Sequence, residues 1–142
     1  MLIEFANTIK TELSTEKYNG SVIYAGGEDF MGMVNLHALQ KTVSLIRVKF
    51  KELVSDKMQD AITAPKEFTL SMGITLAHYK EPLQMVLNKT AKMEKLAKES
   101  GRNGFAIQIS KHSGGQLTTN IKWEESSLNL FCLLYTSDAA DD

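Results

Sequence analysis

Cysteine, long apolar runs and an excess of either charge are all scarce in this sequence. The 142 residues contain one cysteine, Cys132, so a disulfide within the chain and a metal site made of several thiolates are both excluded. No apolar run approaches the ~20 residues that a membrane-spanning helix needs. The first residues also lack the basic, apolar and small-residue order of a signal peptide. We therefore expect a cytoplasmic protein with no membrane partner.

The last eleven residues differ in character from the rest. Residues 132–141 correspond to the translation of a transposon-type sequencing adapter, and Asp142 continues that reading frame. We expect residues 132–142 to be an adapter-derived tail and residues 1–131 to be the protein itself, with a natural C-terminus elsewhere. The alternative is a natural acidic tail. Without the tail's three acids, 14 acidic residues face 16 basic ones, a net charge of +2, which indicates no particular partner.

Apolar spacing at the start of the chain predicts a helix and then a hairpin. Residues 2–13 carry apolar side chains at helical spacing. No capping residue precedes this helix, which predicts that the natural chain begins upstream. Two short strand-like runs, 21–24 and 30–34, flank the pair Gly26 and Gly27, and this arrangement is a hairpin signal.

Two longer helices and three further strands are predicted after the hairpin. Apolar residues three and four positions apart predict a helix over residues 36–53, and Pro82 and Gly101 bound another over 82–101. Between them, residues 68–76 alternate apolar with small or polar side chains, as a half-buried strand does. Residues 105–109 and 117–123 are the remaining strand candidates.

This order of elements predicts an α+β fold of one domain, residues 1–131, with helices on one face of a mostly antiparallel sheet. It fits a ferredoxin-like βαββαβ unit that lacks its first strand through N-terminal truncation and has a helix and a strand added at its end. In that arrangement the sheet face that carries Ser71, Gly73 and Thr75 is expected to be open to a ligand.

The hairpin carries the first candidate site, Gly26, Gly27, Glu28 and Asp29. Glycine lets the backbone approach a ligand closely, and carboxylates bind hard cations such as Mg²⁺. Adjacent strand residues point to opposite sides, so Glu28 and Asp29 either have different roles or are splayed by the turn. The alternative is a plain glycine hairpin with two solvated acids.

The second candidate site is at the end of the helix predicted over residues 82–101. Lys98 and Arg102 are four positions apart, close together on one side of a helix end, and could meet a polyphosphate. Arginine offers a bidentate fork, and lysine offers a point charge. The alternative is a basic turn that complements the negative end of the helix dipole.

As a set, these residues resemble the nucleotidyl-cyclase palm family, and within it the C-terminal palm domain of the large subunit of type III-B CRISPR effector complexes. That palm is of the GGDD type, named for two glycines followed by two aspartates. The likeness extends over residues 2–123. The matching segments are 23–27 (IYAGG), 70–74 (LSMGI), 77–83 (AHYKEPL), 98–103 (KESGRN), 111–114 (KHSG) and Trp123.

The resemblance implies Mg²⁺- or Mn²⁺-dependent synthesis of cyclic oligoadenylate from ATP, switched on when the complex binds target RNA. The 3′-hydroxyl of one ATP would attack the α-phosphate of another, and pyrophosphate would leave. It implies that Glu28 and Asp29 are the catalytic, metal-binding acids. It implies other subunits as partners, with guide RNA and target RNA bound through the complex. The implied nucleotide-binding residues are Gly26, Gly27, Ser71, Lys98 and Arg102.

Two departures leave alternatives open. The CRISPR branch has two aspartates after the glycines, and this chain has Glu28 before Asp29; a catalytically silent palm that only supports the complex is therefore one alternative. The family's first strand, with its aspartate-rich metal loop, is absent, so we expect this fragment alone to be inactive. The other alternative is a GGDEF diguanylate cyclase that uses GTP, although that family has a tyrosine where this chain has Lys95.

Overall fold

A computed structural model of the chain describes residues 2–26, 29–57, 68–110 and 115–123. The chain divides into two compact units, Met1–Phe68 and Thr69–Asp142. Within the described ranges, no helix combines the length and apolar character needed to cross a membrane. The family-like segment 111–114 and the expected adapter tail both lie outside these ranges.

The first unit consists of helices and one hairpin. Its core includes Ile9 and Leu13 from the first helix, Val43 from the second and Val54 from a π-helical turn, all at most 2% exposed. A turn precedes the hairpin, and Asn19 adopts a left-handed φ of 47° there. The elements are α1 (Leu2–Leu13), β1 (Ser21–Gly26), β2 (Asp29–Met33), a 3₁₀ turn (Leu36–Ala38), α2 (Leu39–Phe50) and the π-helical turn (Lys51–Ser55).

An ion pair joins the two ends of this unit's helical part. The Lys57 Nζ lies 2.9 Å from a carboxylate oxygen of Glu4. The hydrogen bond and the charge of Lys57 lower the pKa of Glu4. Both side chains are about half exposed, so the pair contributes little to stability.

The second unit is a three-stranded sheet with one helix. The strand order is β3–β4–β5, with β3 parallel to β4 and β4 antiparallel to β5. The parallel pair follows from the helix, which returns the chain to the end of the sheet at which β3 began. The elements are β3 (Ser71–Leu76), α3 (Leu83–Glu99), β4 (Gly104–Ser110) and β5 (Gln116–Lys122).

Together, the two units confirm the predicted α+β class. The described strands form two sheets, the β1–β2 hairpin and the mixed sheet of the second unit, where the sequence predicts one sheet. The central strand β4 is buried at every position except Ser110. This burial explains its nearly continuous apolar composition, which is typical of a strand covered on both faces.

The expectation of an open, ligand-accepting face on β3 is wrong, because α3 packs on that face. A Cβ added to Gly73 would lie 2.2 Å from the backbone nitrogen of Glu94 and 2.6 Å from the carbonyl oxygen of Thr90. The Thr90 hydroxyl also lies 2.8 Å from the Thr75 hydroxyl. The small residues of β3 make room for the backbone of α3. The alternating sequence pattern is the same whether a helix or a ligand covers that face, so it could not show which of the two is there.

Candidate functional site

The tip of the β1–β2 hairpin holds the first group of predicted site residues. Gly26 and Asp29 are the last partners of the antiparallel pairing, so Asp29 opens β2 directly opposite the end of β1. Its side chain is exposed. Gly27 and Glu28 lie outside the described residues, so their predicted roles stay predictions.

Gly26 has a packing role that the sequence pattern does not reveal. A Cβ at this position would lie 3.0 Å from the Tyr24 hydroxyl oxygen and 3.2 Å from the adjacent ring carbon. The glycine therefore leaves room for the Tyr24 ring on the same side of the strand. The pairing register shifts between Val22 and Tyr24, an irregularity of the kind that re-aims side chains beside functional sites.

A divalent cation is the ligand that these acids predict. The Asp29 carboxylate has the oxygen chemistry that Mg²⁺ prefers, and its exposure leaves it accessible. Among the residues that the structure describes, no group of three or more His, Cys, Asp or Glu side chains is arranged to hold a metal ion. The Asp29 carboxylate thus has the right chemistry for a cation, which would take its remaining ligands from other groups such as water or phosphate oxygens.

The second group of predicted residues meets at one end of the second unit. Ser71 is paired with Gly104 at the start of both parallel strands. Because α3 runs back along the sheet, its last turn, with Lys98, reaches this same end. The α3–β4 turn (residues 100–103) then carries Arg102. The fold therefore brings Ser71, Lys98 and Arg102 to one end of one unit, although they are distant in sequence.

Arg102 lies beyond the helix, so the helical spacing from which Lys98 and Arg102 were expected to lie close together does not apply, and their predicted roles stay predictions. The helix ends at Glu99, and the next residues leave helical geometry because Gly101 and Arg102 have φ values of 98° and 59°. The Arg102 amide donates to the Ala97 carbonyl at 3.1 Å, as in a Schellman cap. Within the helix, the Lys98 Nζ lies 2.6 Å from Glu94, one turn earlier.

Two residues at the end of β5 hold this turn, and sequence reasoning assigned neither of them that role. The Lys122 ammonium donates to the carbonyl oxygens of Ser100 at 2.8 Å and Arg102 at 2.5 Å. Trp123 donates its backbone amide to Asn103 at 3.1 Å. No periodicity or motif identifies which carbonyls a lysine will reach, so Lys122 could be found only from the fold.

The Trp123 side chain ties the start of β3 to the same end of the unit. Its indole nitrogen donates to the Leu70 carbonyl at 2.7 Å, and its ring centroid lies 4.9 Å from that of the fully buried Phe105. A tryptophan that buries its ring and satisfies its N–H group packs strongly. Ser71, directly after Leu70, is thereby held at the end of the sheet that carries the turn.

A hairpin with an acidic tip and a βαβ unit closed by a basic turn are features of a palm-like α+β domain. The family model of the Cas10/Cmr2 second palm domain matches residues 1–106, well over half of the 142 residues. The chain belongs to this Cas10/Cmr2 second palm domain family, which confirms the resemblance drawn from the sequence.

A curated relative agrees with this family. The chain is 29% identical over 119 residues to the CRISPR system Cmr subunit Cmr2 of Pyrococcus furiosus. The matched region covers 82% of this chain and 13% of that protein. The chain thus corresponds to a small part of the relative's length.

Proposed function

We propose that this chain is the palm of the large subunit of a type III CRISPR effector complex, acting in antiviral defence. In the complete, cytoplasmic subunit it would make cyclic oligoadenylate from ATP when target RNA binds to the complex. The observation that carries the proposal is the family match over residues 1–106. The matched relative is named as a subunit of a CRISPR system, which supports other subunits as partners. Guide RNA and target RNA, bound through the complex, are the further partners that we propose.

The proposal gives each group of site residues a role. Asp29, with Glu28, would supply carboxylate oxygens to Mg²⁺ or Mn²⁺, which when bound neutralises phosphate charge. Gly26, with Gly27, would let the nucleotide approach the hairpin backbone. Arg102, exposed on its turn, would bind the triphosphate.

Lys98 and Ser71 are the remaining residues to which the proposal gives a role. The Lys98 ammonium lies 2.6 Å from the Glu94 carboxylate, so in the proposed site it would interact with both that carboxylate and the nucleotide. Both side chains are more than a third exposed, so solvent weakens their pairing and a phosphate can compete for the lysine. Ser71 would offer a hydroxyl at the same end of the unit.

The direct test uses the complete subunit assembled with its partner subunits, target RNA, ATP and Mg²⁺. We expect oligoadenylate to be detected by mass spectrometry, and Asp29→Ala to abolish it by removing a carboxylate from the cation site. Asp56→Ala is the matched control, since Asp56 is an exposed acid of the same unit without a proposed role, and it should leave the rate unchanged. Product made by Asp29→Ala at the wild-type rate would contradict the assignment.

The same assay separates the diguanylate cyclase alternative. The family match favours ATP as substrate, so replacing ATP by GTP should stop product formation. A product made from GTP alone would reverse the assignment.

Glu28 favours a second candidate, a palm that is catalytically silent and only supports the complex. Glutamate is one methylene longer than the aspartate of the family pair, and Mg²⁺ demands near-ideal geometry. Glu28→Asp restores the usual pair without changing charge. A complex that makes product only after this substitution would establish the silent candidate, and equal rates before and after it would eliminate that candidate.

A further inference from the structure

The backbone of the α3–β4 turn is unusual. Three consecutive residues, Gly101, Arg102 and Asn103, have left-handed φ values of 98°, 59° and 50°. A helix cap of the Schellman type needs only one such residue, usually a glycine. Arginine rarely adopts this conformation, because its Cβ crowds the following carbonyl oxygen. The turn therefore needs contacts from elsewhere to hold it.

Lys122 supplies two of those contacts, beside the Trp123 amide that donates to the Asn103 carbonyl. Its ammonium bonds the carbonyl oxygen of Ser100, which precedes the left-handed run, and that of Arg102, within the run. A Cβ added to Gly101 would lie 2.9 Å from the Lys122 Nζ, so the glycine also makes space for this side chain. The position of Lys122 is set by the sheet, where it pairs with Gly104 at the end of β5.

The contact of the Lys122 ammonium with the turn also adds positive charge at the C-terminal end of α3. Carbonyl groups at a helix C-terminus carry partial negative charge, which repels a phosphate. An ammonium placed on the Ser100 and Arg102 carbonyls offsets that charge where Arg102 leaves the backbone. Lys98 shares its charge with Glu94, so Lys122 adds to the positive charge that Lys98 and Arg102 bring to this end of the unit.

We propose that Lys122 is a positioning residue for nucleotide binding. It holds the α3–β4 turn in its left-handed conformation, and by doing so it directs the Arg102 guanidinium to the triphosphate. This inference rests on the proposed function, because it takes ATP as the ligand of Arg102. It goes further by naming a residue that binds no nucleotide atom and acts through another side chain.

Limited trypsin digestion tests the hold on the turn without any nucleotide. Trypsin cleaves after arginine and needs a locally opened backbone. In the full chain, Lys122→Met should speed cleavage after Arg102 by about tenfold or more, since two hydrogen bonds from a charged group are lost. Lys92→Met is the control, because Lys92 is an exposed lysine of α3 that forms no ion pair with another described residue. Equal cleavage after Arg102 in wild type and Lys122→Met would overturn the inference.

Calorimetric binding of MgATP to the complete subunit tests the action through Arg102. Lys122→Met should weaken binding by about tenfold, and Lys122→Arg, which keeps the charge, should recover part of the loss. The double variant of Lys122→Met with Arg102→Gln should bind no more weakly than Arg102→Gln alone, because residues that act as one unit are not additive. A purely structural lysine would add its own loss to that of Arg102→Gln.

The outcomes separate the two proposals. If the wild-type subunit binds ATP and Lys122→Met binds it equally well, the role of Lys122 is overturned and the proposed function stands. A wild-type subunit that binds no ATP even when assembled with its partner subunits and target RNA overturns the proposed function, and with it the nucleotide role of Lys122, whatever the tryptic rates are. Circular dichroism of each variant verifies that it is folded. If Lys122→Met is unfolded, the neutral variant Lys122→Gln takes its place, and wild-type values for it in both assays would overturn the role.

Discussion

The β1–β2 hairpin and the β3–β4–β5 sheet each carry a group of predicted site residues, but they are stabilised in different ways. In the sheet, every residue of β4 except the last is buried, and Phe105 is fully inaccessible to solvent. In the hairpin, Ile23, Tyr24 and Met33 are 45%, 55% and 47% exposed. A two-stranded hairpin is marginally stable by itself. The acidic candidate residues are therefore on the less buried element, and the basic ones belong to the well-packed unit.

Glycine illustrates the same difference. The space beside Gly26 is filled by the ring of one exposed side chain, Tyr24, which can rotate away. The space beside Gly73 is filled by the backbone of α3, which cannot move without repacking the unit. One residue type thus has a local role in the hairpin and a packing role in the sheet.

The largest effect is expected where the sheet is most buried. Phe105→Ala should lower the free energy of unfolding by about 3–5 kcal/mol, because it leaves a cavity beside Trp123. Tyr24→Ala, the matched aromatic change in the hairpin, should cost about 1 kcal/mol or less because the ring is largely exposed. Urea unfolding of the chain followed by circular dichroism measures both. Equal losses would show that the hairpin is as tightly packed as the sheet.

The glycine pair provides a smaller and more specific test. Gly73→Ala should destabilise the chain by about 1–3 kcal/mol, since the added methyl group overlaps the α3 backbone. Gly26→Ala should change stability by less than about 1 kcal/mol, because the Tyr24 ring can turn aside. Thermal melts of the two variants make the comparison. A harmless Gly73→Ala would mean that α3 does not pack on β3 as described.

The smallest effect is expected at the end of the chain. We propose that deleting residues 132–142 leaves the melting temperature unchanged within error, because an adapter-derived segment was never selected to pack. A shorter chain that ends at Ile121 is the control, and it should melt lower, since it loses the hydrogen bonds of Lys122 and Trp123. A fall of several degrees on removal of residues 132–142 alone would identify that segment as natural protein.

Much of the secondary structure was predictable because local spacing determines it. Apolar residues three and four apart indicated α1, α2 and α3, and alternation indicated β3; the structure has helices at Leu2–Leu13, Leu39–Phe50 and Leu83–Glu99 and a strand at Ser71–Leu76. The start of the second helix was less predictable, since residues 36–38 form a 3₁₀ turn in which Asn35 accepts a bond from the Ala38 amide.

The sequence named candidate site residues, whose roles stay predictions, but it could not give their surroundings. The motifs that identified the family are local, so Gly26, Asp29, Ser71, Lys98 and Arg102 could be named from the sequence. Their surroundings depend on contacts between distant segments. The face of β3 is covered because α3 packs against Gly73. The turn that carries Arg102 is bonded by Lys122, which lies twenty positions later in the sequence.

By itself, the sequence determined the family, the α+β class and the residues in which the chemistry is expected, because short motifs and apolar periodicity depend on neighbours along the chain. Only the tertiary structure decided that helix α3 covers the small residues of β3, that Lys98 pairs with Glu94 while Arg102 lies beyond the end of α3, and that Lys122 bonds the carbonyls of the turn. The physical reason is that packing and hydrogen bonding in these places join residues through space, where backbone geometry decides which atoms meet.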